Sequence, residues 1–387
     1  AITTIHTLSI NAVEQANSGH PGLPLGTAPL AYTLWDKVMQ HNPKNPNWVN
    51  RDRFILSAGH GSALLYSLLH LTGYDLPLEE VKAFRQLDSK TPGHPEYGHT
   101  PGVEATTGPL GHGFAMGVGM AIAETALAAK FNQPDFPIID HYTYALGSDG
   151  DLMEGVSAEA ASLAGTMQLG KLIYLYDDNN ITIEGTTDIA FTENVQARFE
   201  AYGWQVLRVN DSEDLVALIN CIELAKQETA KPSLIIVKTH IGFASPKQDS
   251  PAAHGEPLGK DAIITTKQAL GVADLTPFYI PSEVQEYFAE RLKVHAEQEQ
   301  TWQELFDKYA KQYPTQAQEL QEQLQGKLPA NLATSLSQLF IDKTSSATRD
   351  ASGEILQLLA KNIPALIGGS ADLGPSNKTL LKGLGDF

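Results

Sequence analysis

Residues 142–181, YTYALGSDGDLMEGVSAEAASLAGTMQLGKLIYLYDDNNI, bring oxygen donors to two chain reversals. An apolar, β-prone run at 142–146 breaks into Gly147-Ser148-Asp149-Gly150, and a second run at 172–176 leads into Asp177-Asp178-Asn179-Asn180. Asp149 offers a carboxylate, Asn179 an amide oxygen and Ile181 a backbone carbonyl. Donors of this hardness suit Mg²⁺ or Ca²⁺ and not zinc. Gly150 lets the backbone approach whatever the metal carries, and the helix expected over 154–165 starts just beyond it. A hard cation beside a helix N-terminus points to an anion, a diphosphate above all. Taken singly, the first segment is a turn and the second a solvated loop; their pairing argues for a site.

Four histidines add proton chemistry. His20 sits in NSGHPG, His60 in SAGHGS, His94 in TPGHP and His254 in AHGEPLG. Imidazole titrates near neutral pH, and each of these four lies in a glycine-bearing loop, a distribution unlike that of scattered core histidines. His70 lies in an apolar helical run, 63–72, and reads as a core or rim residue. His99 and His112 read as local hydrogen-bond partners.

The elements that must position these groups follow from periodicity. Strand, helix and strand at this spacing form a right-handed βαβ unit, so Asp149 and Asn179 emerge at the carboxyl ends of parallel strands. In its helix, Val156, Ala160, Leu163 and Ala164 are spaced for one face. Before it come helices at 1–17 and 24–40, a strand at 51–56, a long Gly/Pro-rich loop at 88–113 and a helix at 114–130. After it come a helix at 188–202, a strand at 204–209, a helix at 212–229 and a strand at 233–239. This alternation predicts an α/β fold with a doubly wound parallel sheet flanked by helices. Gly111-x-Gly113 does not complete a dinucleotide fingerprint, because Met116 stands where the third glycine belongs. Residues 282–343 turn rich in Gln, Glu, Lys and Ala and predict a helical connector, with Phe288, Leu292, Trp302, Leu305, Phe306 and Tyr309 as its buried stripe. A helix at 348–361 and a strand at 363–367 then open a further unit. The expected domains are an α/β domain at 1–275, a helical linker at 276–345 and an incomplete domain at 346–387.

Composition sets the outer limits. With 387 residues, 42% hydrophobic and 19% charged, the chain has an ordinary globular balance. Its net charge of −18 argues against nucleic acid. No uninterrupted apolar run approaches membrane-spanning length and residues 1–20 lack a signal-peptide pattern, so no membrane partner is expected. Cys221 stands alone, which excludes an internal disulfide framework and makes a cytoplasmic location the simplest home. Against this acidic background any sugar-phosphate site must be locally basic, which singles out Arg and His.

The Gly-containing Asp149 segment followed by Asn179-Asn180 resembles the thiamine diphosphate fingerprint, and the wider text resembles the transketolase family. The matching segments are 17–26 (NSGHPGLPLG), 57–62 (SAGHGS), 91–95 (TPGHP), 106–113 (TTGPLGHG), 253–259 (AHGEPLG) and 368–377 (GGSADLGPSN). Ser148 before the Asp-Gly pair departs from the pattern and leaves the ligands intact. The resemblance implies thiamine diphosphate with Mg²⁺ (or Ca²⁺). It also implies transfer of a two-carbon ketol unit from a ketose phosphate (xylulose 5-phosphate) to an aldose phosphate (ribose 5-phosphate or erythrose 4-phosphate). It implies catalytic roles for His20 and His254, with His94 lining the same substrate cleft. His60, Gly108-Pro109-Leu110, Gly150, Asn179 and His254 are implied to contact the cofactor, and Arg349 and Ser376 the substrate phosphate. A homodimer with the site at its interface is implied as well. So is a glutamate of a pyrimidine-binding domain beyond residue 387, without which these residues alone are expected to be inactive. Two alternatives stay open: another thiamine-dependent ketol transferase, such as a dihydroxyacetone synthase or deoxyxylulose-phosphate synthase, and a non-catalytic metal–diphosphate module that acts with a partner chain.

Overall fold

Five short apolar runs become the strands of one sheet in the computed structural model, which describes residues 1–342 and 345–387. They are β1 (Arg53–Leu56), β2 (Thr143–Ser148), β3 (Leu172–Asp178), β4 (Gln205–Val209) and β5 (Ser233–Lys238), all parallel, in the order β1-β2-β3-β5-β4. Alternate residues of each strand serve the two faces. Phe54, Leu56, Tyr144, Leu146, Ile173, Leu175, Ile235 and Val237 enter one core, and Ile55, Ala145, Tyr174, Tyr176, Leu234 and Ile236 enter the other. A sheet buried on both faces needs apolar residues at every position, which is why these strands read as continuous apolar runs.

The first face is covered by α1 (Ile2–Ala16), α2 (Gly22–Tyr32) and α3 (Ser62–Thr72). The short α4 (Leu78–Lys82) follows, and α5 (His112–Phe131) crosses to the second face. After β2 come α6 (Asp149–Met153) and α7 (Gly155–Thr166), and α8 (Val195–Ala201) precedes β4. α9 (Leu215–Gln227) returns to the first face. α10 (Lys260–Ala269) and α11 (Ser282–Gln312) come next.

The chain divides into two compact units, Ala1–Phe306 and Asp307–Phe387. The second is helical: α12 (Pro314–Leu324), α13 (Leu332–Gln338), α14 (Thr348–Asn362) and the single turn α15 (Gly374–Asn377). Position 343, the far end of the expected connector, lies outside the described residues.

Several expectations are corrected. The helix expected over 154–165 forms as α7, but a short helix not expected from the sequence, α6, precedes it, separated by Glu154 with an extended ψ of 136°. The buried face of α7 is Ser157, Ala160, Ala161 and Ala164, while Val156 and Leu163 are exposed. Small side chains face inward because α7 packs closely on α5, where backbones approach. The helix expected at 188–202 shrinks to α8, whose start is set by Asn194 accepting the Ala197 amide at 3.0 Å. Residues 181–189 instead form a loop with a bridge between Ile181 and Thr186 and a 3₁₀ turn at Thr187–Ile189. No strand forms at 363–367. There the Leu366 amide donates to the Ile363 carbonyl within a turn, since a lone strand leaves its backbone groups unpaired. Finally, α5 is long and apolar enough to cross a membrane by length and composition, which the sequence reading did not anticipate; its inner face packs on β1, β2 and α7.

Candidate active site

The carboxyl ends of the strands open onto a cavity of about 420 Å³ lined by His60, Leu110, Gly150, Asn179, Ile181 and His254, among others. Each histidine arrives on a loop shaped by glycine. After α1 the chain turns at Asn17 (φ 48°) and Gly19 (φ 134°), where a Cβ would meet Phe84 and Val13 at 3.0 Å, and delivers His20. After β1 the turn Gly59–Gly61 carries His60, and a Cβ on Gly59 would lie 2.6 Å from the Gly108 amide. Gly59 thus lets the 106–111 loop run against β1. Gly108 (φ 137°) faces the His94 ring, 3.0 Å from where its Cβ would be. His254 follows β5 and the turn Pro251–Ala253.

Three of the four rings converge. The centroids of His20 and His60 are 5.1 Å apart, of His60 and His254 5.1 Å, and of His20 and His254 5.7 Å. His94 is the outer, exposed member. Burial drives His20 down to about 4, with His254, Arg85 and His94 adding to the effect. His60 is held well below its ordinary range by burial and then by His254 and His20. Burial also lowers His254, and burial followed by Arg85 lowers His94. Each of these shifts favours the neutral imidazole, the form that carries a lone pair able to accept a proton. His99, bonded to the Ser89 carbonyl at 2.9 Å, and His70, bonded to that of Leu76 at 2.8 Å, have local partners.

On the other wall, Asp149 is buried. It accepts hydrogen bonds from the Tyr176 hydroxyl and from the Asn180 amide at 3.1 Å. Burial pushes it up to about 7, and the charges that add to this are the carboxylates of Asp177 and Asp178. Asn179 donates to Asp177 at 2.9 Å, which fixes the amide, while its oxygen accepts the Ile181 amide at 2.9 Å. Among the described residues no three His, Cys, Asp or Glu side chains form a metal cage. The donor set is therefore one carboxylate, one amide oxygen and one carbonyl on a negatively charged wall. This fits a hard cation that takes its remaining oxygens from a bound anion. Between Gly150 and the start of α7 at Gly155 stands α6, which begins at Asp149 and is closed by a capping box between Ser148 and Asp151.

The family model described as "Transketolase, thiamine diphosphate binding domain" matches residues 1–329. The chain belongs to the transketolase family. It is 56% identical over 388 residues to the transketolase of Halalkalibacterium halodurans and 55% identical over 389 to that of Bacillus subtilis, covering 100% of this chain and 58% of each relative. Among solved structures it superposes on the transketolase of Pichia stipitis in complex with sedoheptulose 7-phosphate, with a TM-score of 0.94 at 48% identity, over 99% of this chain and 56% of that one. The Campylobacter jejuni transketolase gives 0.91 at 46% identity, over 100% and 58%. The chain thus spans a little over half the length of these transketolases.

Two further sequence-level candidates belong to the second unit. Arg349 lies in the first turn of α14 and Ser376 in α15, both exposed. Sequence reading missed Asp151, which is fully buried. One of its oxygens accepts from Ser57 Oγ at 2.8 Å and the Gly111 amide at 3.0 Å, and the other from the Ser148 amide at 3.1 Å. It joins the end of β1, the 106–111 loop and the Asp149 turn. It also missed Tyr176, which read only as a strand residue, and Asp177, which read only as part of the loop segment that follows and belongs to β3. The extra acid in GSDGD was the available signal for Asp151.

Proposed function

We propose that these residues form the metal- and diphosphate-binding part of a transketolase. The intact enzyme transfers a two-carbon ketol unit from a ketose phosphate, such as xylulose 5-phosphate, to an aldose phosphate, such as ribose 5-phosphate or erythrose 4-phosphate. The observation that carries this reading is that neutral histidines and hard oxygen donors meet on one cavity. Asp149, Asn179 and the Ile181 carbonyl would hold Mg²⁺ or Ca²⁺. His60, Gly108, Pro109, Leu110, Gly150, Asn179 and His254 would border thiamine diphosphate, which when bound supplies the carbon chemistry. His20 and His254 accept and return protons at sugar hydroxyl and carbonyl oxygens, and His94 orients the sugar. Arg349 and Ser376 take the substrate phosphate, where a guanidinium suits a dianion. The domain reading is a diphosphate-binding domain at 1–275, a linker at 276–345 and the start of a pyrimidine-binding domain at 346–387.

A cytoplasmic homodimer completes the proposal, with no nucleic-acid or membrane partner. Its support is the outer face of α5, apolar yet largely uncovered, where exposed Gly119 and Ala123 beside Met116 leave room for another helix. The test is Asp149→Ala in the intact enzyme. Calorimetry is expected to show thiamine diphosphate affinity losing its dependence on Mg²⁺; wild-type dependence would end the assignment.

A further inference from the structure

Arg85 lies outside the cavity lining, yet it touches the loops of two active-site histidines. It follows α4 with a left-handed backbone, φ 61°, held by its amide donating to the Thr91 carbonyl at 2.9 Å. From there its guanidinium donates from Nη1 to Ser18 Oγ at 2.9 Å and from Nη2 to the Gly93 carbonyl at 3.5 Å. Ser18 is two residues before His20 and Gly93 is next to His94. The same Gly93 carbonyl accepts Ser62 Oγ at 2.8 Å, at the start of α3 just after His60. The guanidinium lies against Gly93 so closely that a Cβ there would be 3.2 Å from Nε. Phe84 braces it from below, with its ring 5.4 Å from Cζ. A planar fork with several donors can span two loops at once, which a single ammonium cannot.

We propose that Arg85 is a positioning residue: its guanidinium ties the loop of His20 to the loop of His94 and sets a fixed positive charge beside both rings. The other groups facing these rings are His60 and His254 on the far side of His20. Tyr66, whose hydroxyl donates to the Pro92 carbonyl at 2.8 Å and reaches that of His94 at 3.3 Å, lies under the His94 loop, with Glu96 acting on it. None of these is a permanent cation, so to burial, the larger cause for both rings, Arg85 adds a fixed charge that opposes their protonation at every pH. The consequence is that His20 and His94 stay available as bases below neutral pH, at a spacing set by one side chain.

The inference rests on the proposed function only for its turnover arm; the histidine measurement does not need turnover. In the holoenzyme, diethyl pyrocarbonate acylation of neutral imidazole, resolved by peptide mass spectrometry across pH, gives the midpoints of His20 and His94. Arg85→Met is expected to raise both midpoints by on the order of half a unit to one unit, and to move the acid limb of kcat/KM by the same amount. Arg85→Lys keeps the charge and loses the fork, so the midpoints are expected to stay while kcat falls severalfold. Ser18→Ala, which removes only a hydroxyl, is expected to lower kcat without moving either midpoint, and it serves if the Arg85 variants fail to fold. Unchanged midpoints in Arg85→Met, or wild-type kcat in both Arg85→Lys and Ser18→Ala, would overturn the proposal. Normal midpoint shifts with no ketol transfer by the wild type would instead overturn the proposed function.

Discussion

Two groups of histidines in the first unit, one half-buried and one buried, both have lowered proton affinity and differ in their hydrogen bonds. His20, His60 and His254 meet with centroids 5.1–5.7 Å apart, and His60 and His254 line the cavity. His41 and His295 meet at 4.2 Å between α11 and the start of the sheet, and burial lowers both, His41 to about 3. In the second group the polar atoms are paired. His41 Nε2 donates to the Trp35 carbonyl at 3.1 Å and Nδ1 accepts from Tyr74 at 3.1 Å, while His295 Nδ1 donates to Gln298 at 3.3 Å. In the first group Nδ1 of His20 and of His254 is buried without a partner. A buried nitrogen with no partner costs stability, so it persists where something other than stability retains it. Low proton affinity therefore does not separate a site from a structural joint; the first group differs in that His60 and His254 line the cavity and Nδ1 of His254 has no partner.

The sharpest way to break this contrast is turnover. His254→Ala in the intact enzyme is expected to lower kcat on the order of 10²- to 10⁴-fold while thiamine diphosphate affinity falls far less. Equal losses, read by steady-state kinetics and calorimetry, would make His254 a cofactor residue only. His41→Ala is expected to leave kcat per folded molecule within about twofold.

Stability should reverse the order. His41→Ala leaves Tyr74 and the Trp35 carbonyl unpaired beside a cavity, at a cost of about 2–4 kcal/mol in urea unfolding. His20→Gln is expected to change stability by under about 1 kcal/mol. A larger loss for His20 than for His41 would reverse the assignment of the two groups.

The smallest effect is the pH dependence. Because His20 is lowered to about 4, the unfolded chain takes up its proton first, near 6.5, and stability is lost as pH falls from 6.5 toward 4. Asp149, raised to about 7, and Asp177, raised to about 6, work in the opposite direction over the same range, so the wild-type curve alone is ambiguous. The difference curve is not. His20→Gln should gain on the wild type between pH 6.5 and 4, by roughly 1 kcal/mol once solvent screening is allowed for. A flat difference by thermal melting would show that His20 titrates normally.

The βαβ unit around Asp149 and Asn179 was legible because strand and helix periodicities are local, and because the turns need glycine and asparagine whatever surrounds them. The four histidine loops were legible for the same reason: Gly19, Gly59 and Gly108 stand where close packing or a positive φ leaves no room for a side chain. What escaped was set by residues far apart in sequence. Val156 and Leu163 fit an inward face by spacing, yet small alanines won that face because α5 lies against it. The run at 363–367 has the composition of a strand but no ladder to join in its unit.

The polar stripe of α11 shows the same division. Its helical period was plain, but pairing between Tyr287, Arg291 and Asp36, and between Glu299 and Asn42, spans most of the first unit. Sequence by itself determined the parallel α/β alternation, the glycine-shaped loops and the oxygen donors at two strand ends, since each depends on neighbours within a few residues. Only the tertiary structure decided which histidine nitrogens stay unpaired, that Asp151 joins three segments and that Arg85 reaches both Ser18 and Gly93. Those outcomes depend on distances between chain segments that no local periodicity encodes.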